Sequence, residues 1–364
     1  MTFNHYPDNS VLLLVGTASG LFLLSSQDRE HWKIEETSLK NENVYHAVFN
    51  APGNYRLFAT DNSNTSGPIL RYSDDFGQTW QEPRTGIKFP ADSGLMLKNI
   101  WLIQPGRATE PGTLYVGTDQ ACLWTSHDNG ESWEPDAGLL YHPTREQWQP
   151  GAGGMCLHSI VPDYSNPQRM WVAISSVGCM RTENGGKTWE HVNKNIGARH
   201  LPPPTPLFGN CAHRLIQHPE HPDTLYLQDH CGQYKTLTAG DEWIDIQNNL
   251  PSYFGFPIAL DRYNPETIYT AVVVDDGRYN VNNQFTIYRS QDAGQHWEEL
   301  TQGLPGGEGV RMGVLRHAFC ADTLNPCGLY VGTNTGQLFA SNDRGDSWQQ
   351  IADYLPRIQS VTVV

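Results

Sequence analysis

Four times the chain writes nearly the same eight residues: SDDFGQTW (73–80), SHDNGESW (126–133), SQDAGQHW (290–297) and SNDRGDSW (341–348). Three looser copies keep the final tryptophan: TENGGKTW with Asn184 in the Asp position, TLTAGDEW with Thr238 there, and SSQDREHW with Glu30 in the Gly position. Taken as a ruler, Trp32, Trp80, Trp133, Trp189, Trp243, Trp297 and Trp348 stand 48, 53, 56, 54, 54 and 51 residues apart. A short motif returning at so steady an interval implies like units set side by side.

Each unit reads the same way. An apolar strand is followed by a second such as TLYVGT or TIYTAV, a third such as ILRYS or TIYRS, the octet, and a short fourth strand after Trp. With 34 Gly and 24 Pro and no long helical periodicity, the reading is all-β. Four strands per unit, seven times over, is the pattern of a seven-bladed β-propeller. The chain starts in second-strand sequence, VLLLVGT, and ends in first-strand sequence, IQSVTVV. One blade is therefore expected to take strands from both ends of the chain, which hides its open edges. No linker interrupts residues 1–364, so a single propeller domain is expected.

The pattern S-x-D-x-G-x-x-W resembles the Asp-box, or BNR, repeat of sialidases, sortilin-like receptors, xyloglucan-active hydrolases and photosystem assembly factors. The resemblance runs over essentially the whole chain. It implies a turn between the third and fourth strands of each blade, with Asp capping the turn, Gly at positive φ and Trp packed into the blade. The presence of Asn184 and Thr238 where other copies carry Asp suits a structural turn better than a catalytic group. The resemblance also implies a glycoside hydrolase or glycan-binding module. The Arg-Ile-Pro element and arginine cluster of sialidases are missing, and Lys plus Arg total only 24.

A formal net charge of −15 argues against a nucleic-acid or anionic-membrane partner, either of which needs a concentrated basic face. The apolar start VLLLVGTASGLFLL has no preceding Lys or Arg and is broken by Gly16 and Gly20, so it reads as a strand pair and not as a signal peptide. A cytoplasmic protein is expected. Seven scattered cysteines, an odd number, fit reduced thiols.

Function is sought where the first strand of each unit begins, because the connections on that face are long: 82–97, 135–154, 191–210, 247–255, 301–313 and 275–284. HSIVPDYSNP, HRLIQHPEHP and HAFCADTLNP share one register, each His nine residues before a Pro. HAVFNAPGN, one residue shorter, adds His46. Phe256, Asn99 and Gln359 take the equivalent place elsewhere.

Four imidazoles at one level, His46, His158, His213 and His317, point to a transition metal (Fe, Zn, Cu or Ni) on the propeller axis. Carotenoid cleavage oxygenases hold iron with four histidines in a similar architecture, although nothing else of their sequence is present. Arg316 and Arg214 are expected to meet an anionic substrate, with Asn99, Phe256 and Gln359 beside them, and Asp92 and Glu308 to orient the imidazoles. Cys156, Cys211 and Cys320 lie at differing offsets from the histidines, which speaks against a ring of thiolates. Tyr141, Trp148, Phe208, Tyr253, Phe254 and Tyr279 are candidates for stacking on sugar rings.

Three functions stand side by side. The first is a metal-dependent enzyme (oxygenase, lyase or hydrolase) acting on a small molecule at the histidine centre. The second is a hydrolase-like or glycan-binding propeller, and the third a protein-interaction scaffold. A packing role for the repeated histidines remains open.

Overall fold

The computed structural model describes residues 10–50, 56–63, 67–198, 207–275 and 277–364. The expected connections 191–210 and 275–284 fall partly outside these residues. Seven antiparallel sheets, six of four strands and one of three, give the seven-bladed β-propeller class that the octet spacing predicts.

Blade one joins Ile358–Val363, Val11–Thr17, Gly20–Ser26 and Lys33–Ser38, in that order, so the closure read from the two chain ends is present. Blade two has Val44–Asn50, Arg56–Ser63 and Gly67–Ser73, its fourth strand reduced to one bridge between Tyr72 and Gln81. Blade three runs Asn99–Pro105, Leu114–Asp119, Leu123–Ser126 and Glu134–Pro135. Blade four is Leu157–Pro162, Met170–Ile174, Gly178–Thr182 and Glu190–His191. Blade five is Ala212–Gln217, Leu225–Asp229, Gly232–Thr236 and Ile244–Asp245. Blade six is Gly255–Leu260, Ile268–Val272, Ile287–Ser290 and Glu298–Leu300, and blade seven is Phe319–Ala321, Leu329–Gly332, Leu338–Ser341 and Gln349–Ala352. Among the described residues no helix is long and apolar enough to cross a membrane, and none of the seven cysteines is in a disulfide.

The chain divides into two compact units. One, residues 1–46 and 245–364, holds blades one, six and seven. Every residue of Val11–Thr17 is buried there, which is why that strand reads as an unbroken apolar run instead of an alternation. Val15 pairs with Val361 on one side and Phe22 on the other, and Leu13, Val15, Phe339 and Ile358 share one core. Burying each such side chain stabilises by about 1.5–3 kcal/mol. The other unit, residues 47–244, holds most of blade two and blades three to five. Its cores form where blades meet: Leu102 and Tyr115 of blade three with Leu157, Val172 and Trp189 of blade four, and Trp171 with Leu215, Leu227 and Trp243.

The octets are turns held by their own side chains. Gly130 donates its N–H to Ser126 Oγ at 2.9 Å, while the Ser126 hydroxyl donates to Asp128 Oδ1 at 2.9 Å. Asp128 accepts from both the N–H (2.9 Å) and the hydroxyl (2.6 Å) of Ser132, and Trp133 Nε1 donates to the Gly130 carbonyl at 3.1 Å. Where Asn184 replaces Asp, its Oδ1 still accepts from Thr188 N–H at 2.9 Å; where Thr238 does, its Oγ1 accepts from Glu242 N–H at 3.1 Å. One expectation is corrected. In blade one the turn is a residue shorter: Ser26 Oγ accepts from Arg29 N–H at 2.8 Å and Trp32 Nε1 donates to the Arg29 carbonyl. Arg29, at φ 63°, therefore takes the place of Gly, and Glu30 does not. Its guanidinium offsets the strained backbone by donating to the Pro326 carbonyl at 2.7 Å and pairing with buried Asp322.

Candidate functional site

In blades three to six the ladder from first to second strand skips residues near its start, as does that of blade one at Gln359, whereas Phe319–Ala321 of blade seven pairs without a skip and His317 lies two residues ahead of it. Leu157 faces Ile174 and Ser159 faces Ala173, leaving His158 between rungs; Ala212 faces Asp229 and Arg214 faces Gln228, leaving His213. Such bulges re-aim a side chain out of the sheet's alternation. In blade three the skipped residue is Trp101, between Ile100 and Leu102, so Trp101 and not Asn99 occupies the place of His158. Asn99 instead pairs opposite Asp119. In blade six the shift spans Phe256 and Pro257, in keeping with Phe256 in the histidine register.

A backbone bond fixes what faces each bulge. His230 N–H donates to the Cys211 carbonyl and Ser175 N–H to that of Cys156, both at 2.9 Å. Cys156-x-His158 and Cys211-x-His213 thus meet the turn after the second strand in the same way, but the turn offers Ser175 in blade four and His230 in blade five. His158 Nε2 is spent on Ser175 Oγ at 2.9 Å, and the Cys156 thiol donates to the Gly153 carbonyl at 3.1 Å. In blade five Cys211 Sγ lies 3.6 Å from His213 Nε2, and the rings of His213 and His230 are 5.6 Å apart. One donor atom from each of Cys211, His213 and His230 falls within 4.8 Å of the others, an arrangement able to hold a metal ion. No repeat among the inner strands points to His230, because it sits in the hairpin DHCG and not in the strand. Next to it, burial pushes the Asp229 carboxyl up to about 7.

In the other unit the rings of His46 and His317 meet edge to face at 4.9 Å, and both residues are buried. His317 is anchored by its carbonyl, which accepts from Val361 N–H at 2.8 Å, and Gln359 Nε2 donates to Asn43 Oδ1 at 2.7 Å. The Arg316 guanidinium lies 5.2 Å over the Phe256 ring, with Arg278 5.6 Å from the same ring. Arg214 is half-buried. Asp92 and Glu308 are solvent-exposed, which removes the basis for expecting them to orient imidazoles.

A cleft of about 610 Å³ opens between the 93–95 segment, Gln120 and residues 140–155. The short helix Ala137–Leu140 begins at Asp136, whose Oδ1 accepts from Leu139 N–H at 2.8 Å and Trp189 Nε1 at 3.0 Å. Burial raises the Asp136 carboxyl to about 6. Beyond the helix, Tyr141 stands 58 % exposed at the cleft, while Trp148 is only 3 % exposed. Trp148 is held in place: its Nε1 donates to Thr144 Oγ1 at 2.9 Å, and its ring stacks on His142 at 5.6 Å. Thr144 Oγ1 also contacts His191 Nε2 at 3.0 Å, and burial, aided by repulsion from His142, lowers His191 to about 4. The floor is therefore rigid and the Tyr141 rim open. Of the other aromatic candidates, Phe254 is buried and Tyr279 lies exposed under Arg311.

The BNR/Asp-box repeat family model matches residues 71–82. That match covers one copy of the octet, 73–80, on a chain folded into seven blades. No curated protein sequence matches it. Among solved structures it is similar to an ancestral GH74 enzyme, at 18 % identity and TM-score 0.58, over 85 % of this chain and 38 % of that one. It is also similar to YCF48 from Cyanidioschyzon merolae, at 12 % identity and TM-score 0.51, over 85 % of this chain and 84 % of the other. A structure of YCF48 bound to D1 peptide aligns over 97 % of this chain and 99 % of that one, at 16 % identity and TM-score 0.51. The chain thus spans well under half the length of the GH74 enzyme. These likenesses establish the fold.

Proposed function

We propose that this chain is a saccharide-binding propeller that takes its ligand in the cleft beside Tyr141. The observation that carries the reading is an exposed aromatic ring, Tyr141, next to a pinned aromatic floor, with Gln120, His142, Arg145 and Glu146 in the same lining. Sugar rings present apolar C–H faces and a rim of hydroxyls, so a ring platform flanked by a few planar polar groups suits them. The likeness to a GH74 propeller agrees with a carbohydrate ligand. Binding, and not hydrolysis, is the assignment: among the described residues lining the cleft Glu146 is the one carboxylate, whereas most glycoside hydrolases use a pair.

Titration calorimetry with xyloglucan and cello-oligosaccharides tests this reading. Tyr141→Ala is expected to weaken binding about tenfold and to leave the melting temperature unchanged, because the side chain is mostly exposed. Wild-type protein that binds none of these sugars, or a variant that binds them equally well, overturns it. A second reading, capture of an extended polypeptide on the same face, draws on the peptide-bound YCF48 structure, which matches this chain over nearly its full length. Peptide binding lost in Tyr141→Ala, with no response to sugars, would replace the first reading by the second.

A further inference from the structure

We infer that Cys211, His213 and His230 form a transition-metal site of the zinc class with an open coordination position. The geometry is the first argument. Zinc–sulfur and zinc–nitrogen bonds of about 2.3 and 2.0–2.1 Å at a tetrahedral angle hold the two donor atoms roughly 3.6 Å apart. Cys211 Sγ and His213 Nε2 are separated by 3.6 Å, and the third donor, on His230, lies within 4.8 Å of both.

The second argument is how the donors are held. His213 is the residue the ladder skips, buried and aimed by the bulge, and Cys211 and His230 are locked to one another by the 2.9 Å backbone bond. All three are therefore positioned by main chain, which is what a metal site requires before the ion arrives. Cys211 and His230 are partly exposed, leaving a path for an ion and for a fourth ligand such as water. Thiolate and imidazole donors without a carboxylate select zinc, copper or cobalt over magnesium or calcium. Three protein ligands rather than four is the pattern of a zinc centre that keeps a position for water or substrate.

Blade four is the internal control. It repeats the Cys-x-His motif but presents Ser175 where blade five presents His230, and its Cys156 thiol is engaged by Gly153. The blade-five site draws only His213 from the four histidines of the repeat, and it is independent of saccharide binding.

The test is titration of metal-free full-length protein with Co(II) followed by Zn(II). One equivalent of Co(II) is expected to bind with a thiolate charge-transfer absorption that Zn(II) abolishes. Cys211→Ser is expected to lose that absorption, and His230→Ala to lower affinity at least tenfold. His158→Ala and Cys156→Ser are expected to titrate as wild type. As a measurement without substitution, alkylation of Cys211 in the wild-type chain, located by peptide mapping, is expected to slow at least tenfold when one equivalent of Zn(II) is present. Absence of the thiolate absorption, its persistence in Cys211→Ser, or unprotected Cys211 in the presence of zinc overturns the assignment. Loss of the metal in His158→Ala with retention in His230→Ala would overturn it in favour of the four-histidine centre.

Discussion

Gly130 lies against Phe58: a Cβ placed on Gly130 would stand 2.5 Å from Cε1 of that ring, and Gly130 is at φ 81°. The octet glycine is thus required twice, once by its own backbone and once by the core of the neighbouring blade. Gly130→Ala is expected to destabilise by about 3 kcal/mol, read as a shift in the urea midpoint with unchanged slope. A loss below about 1 kcal/mol would mean that Phe58 yields at little cost.

Asp128 accepts two bonds from Ser132 and one from Ser126 while remaining partly exposed. Asp128→Ala removes them all and is expected to cost about 1–2 kcal/mol. Asp128→Asn should recover much of this, because Asn184 already makes the equivalent bond to Thr188 N–H in blade four. Equal loss in both variants, measured by chemical denaturation, would show that the charge and not the acceptor geometry matters.

Two half-buried groups beside Trp189 give opposing pH dependences. Asp136 is raised from 3.8 to about 6 by burial, so the folded chain holds a proton that the unfolded chain has released, and its contribution to stability falls as pH rises through that window. His191 is lowered from 6.5 to about 4, so its contribution falls as pH drops from 6.5 toward 4. Asp136→Asn keeps an acceptor oxygen without a charge to bury. It should stabilise the protein by about 1–2 kcal/mol above pH 7 and expose the loss on the acid side due to His191. Thermal melts of both proteins from pH 4 to 8 decide it: parallel curves would exclude Asp136 as the source.

Ile358 is fully buried in the strand that closes blade one. Ile358→Ala is expected to cost about 2–4 kcal/mol. Hydrogen exchange should rise first in Val11–Thr17, the strand it pairs with. Protection retained there while exchange rises elsewhere would place the weak point of the blade somewhere else.

The blades were legible because the octet makes its own bonds: a Ser or Thr hydroxyl, an acceptor in the Asp position and the Trp ring each serve the local turn, so a recognisable copy persists even where Asn184, Thr238 or Arg29 stands in. The exchange of roles between Glu30 and Arg29 depends on where the count starts: from Ser26 and Asp28 the Gly position falls on Glu30, from Trp32 it falls on Arg29, and the missing residue lies between. The histidine register was readable at His158, His213 and Phe256 but slipped at Asn99, since a ladder that skips a residue looks in sequence like ordinary strand. His230 could not be found by looking for a repeat, as the equivalent turns of blades four and six carry Ser175 and Val273 in that place. What does signal it is the pair of short motifs NCAH and DHCG, seventeen residues apart at His213 and His230, on a first strand and the hairpin that closes against it.

The skipped residues have a wider consequence. A side chain that stands outside the pairing of its strand carries no rung of the sheet, so its identity can change without disturbing the sheet that holds it. Trp101, His158 and His213 are three solutions to one backbone problem, and each of these three blades is in effect a socket into which a different chemical group can be fitted. Diversity of ligand chemistry in this architecture then requires no new scaffold, only a change of what is plugged in.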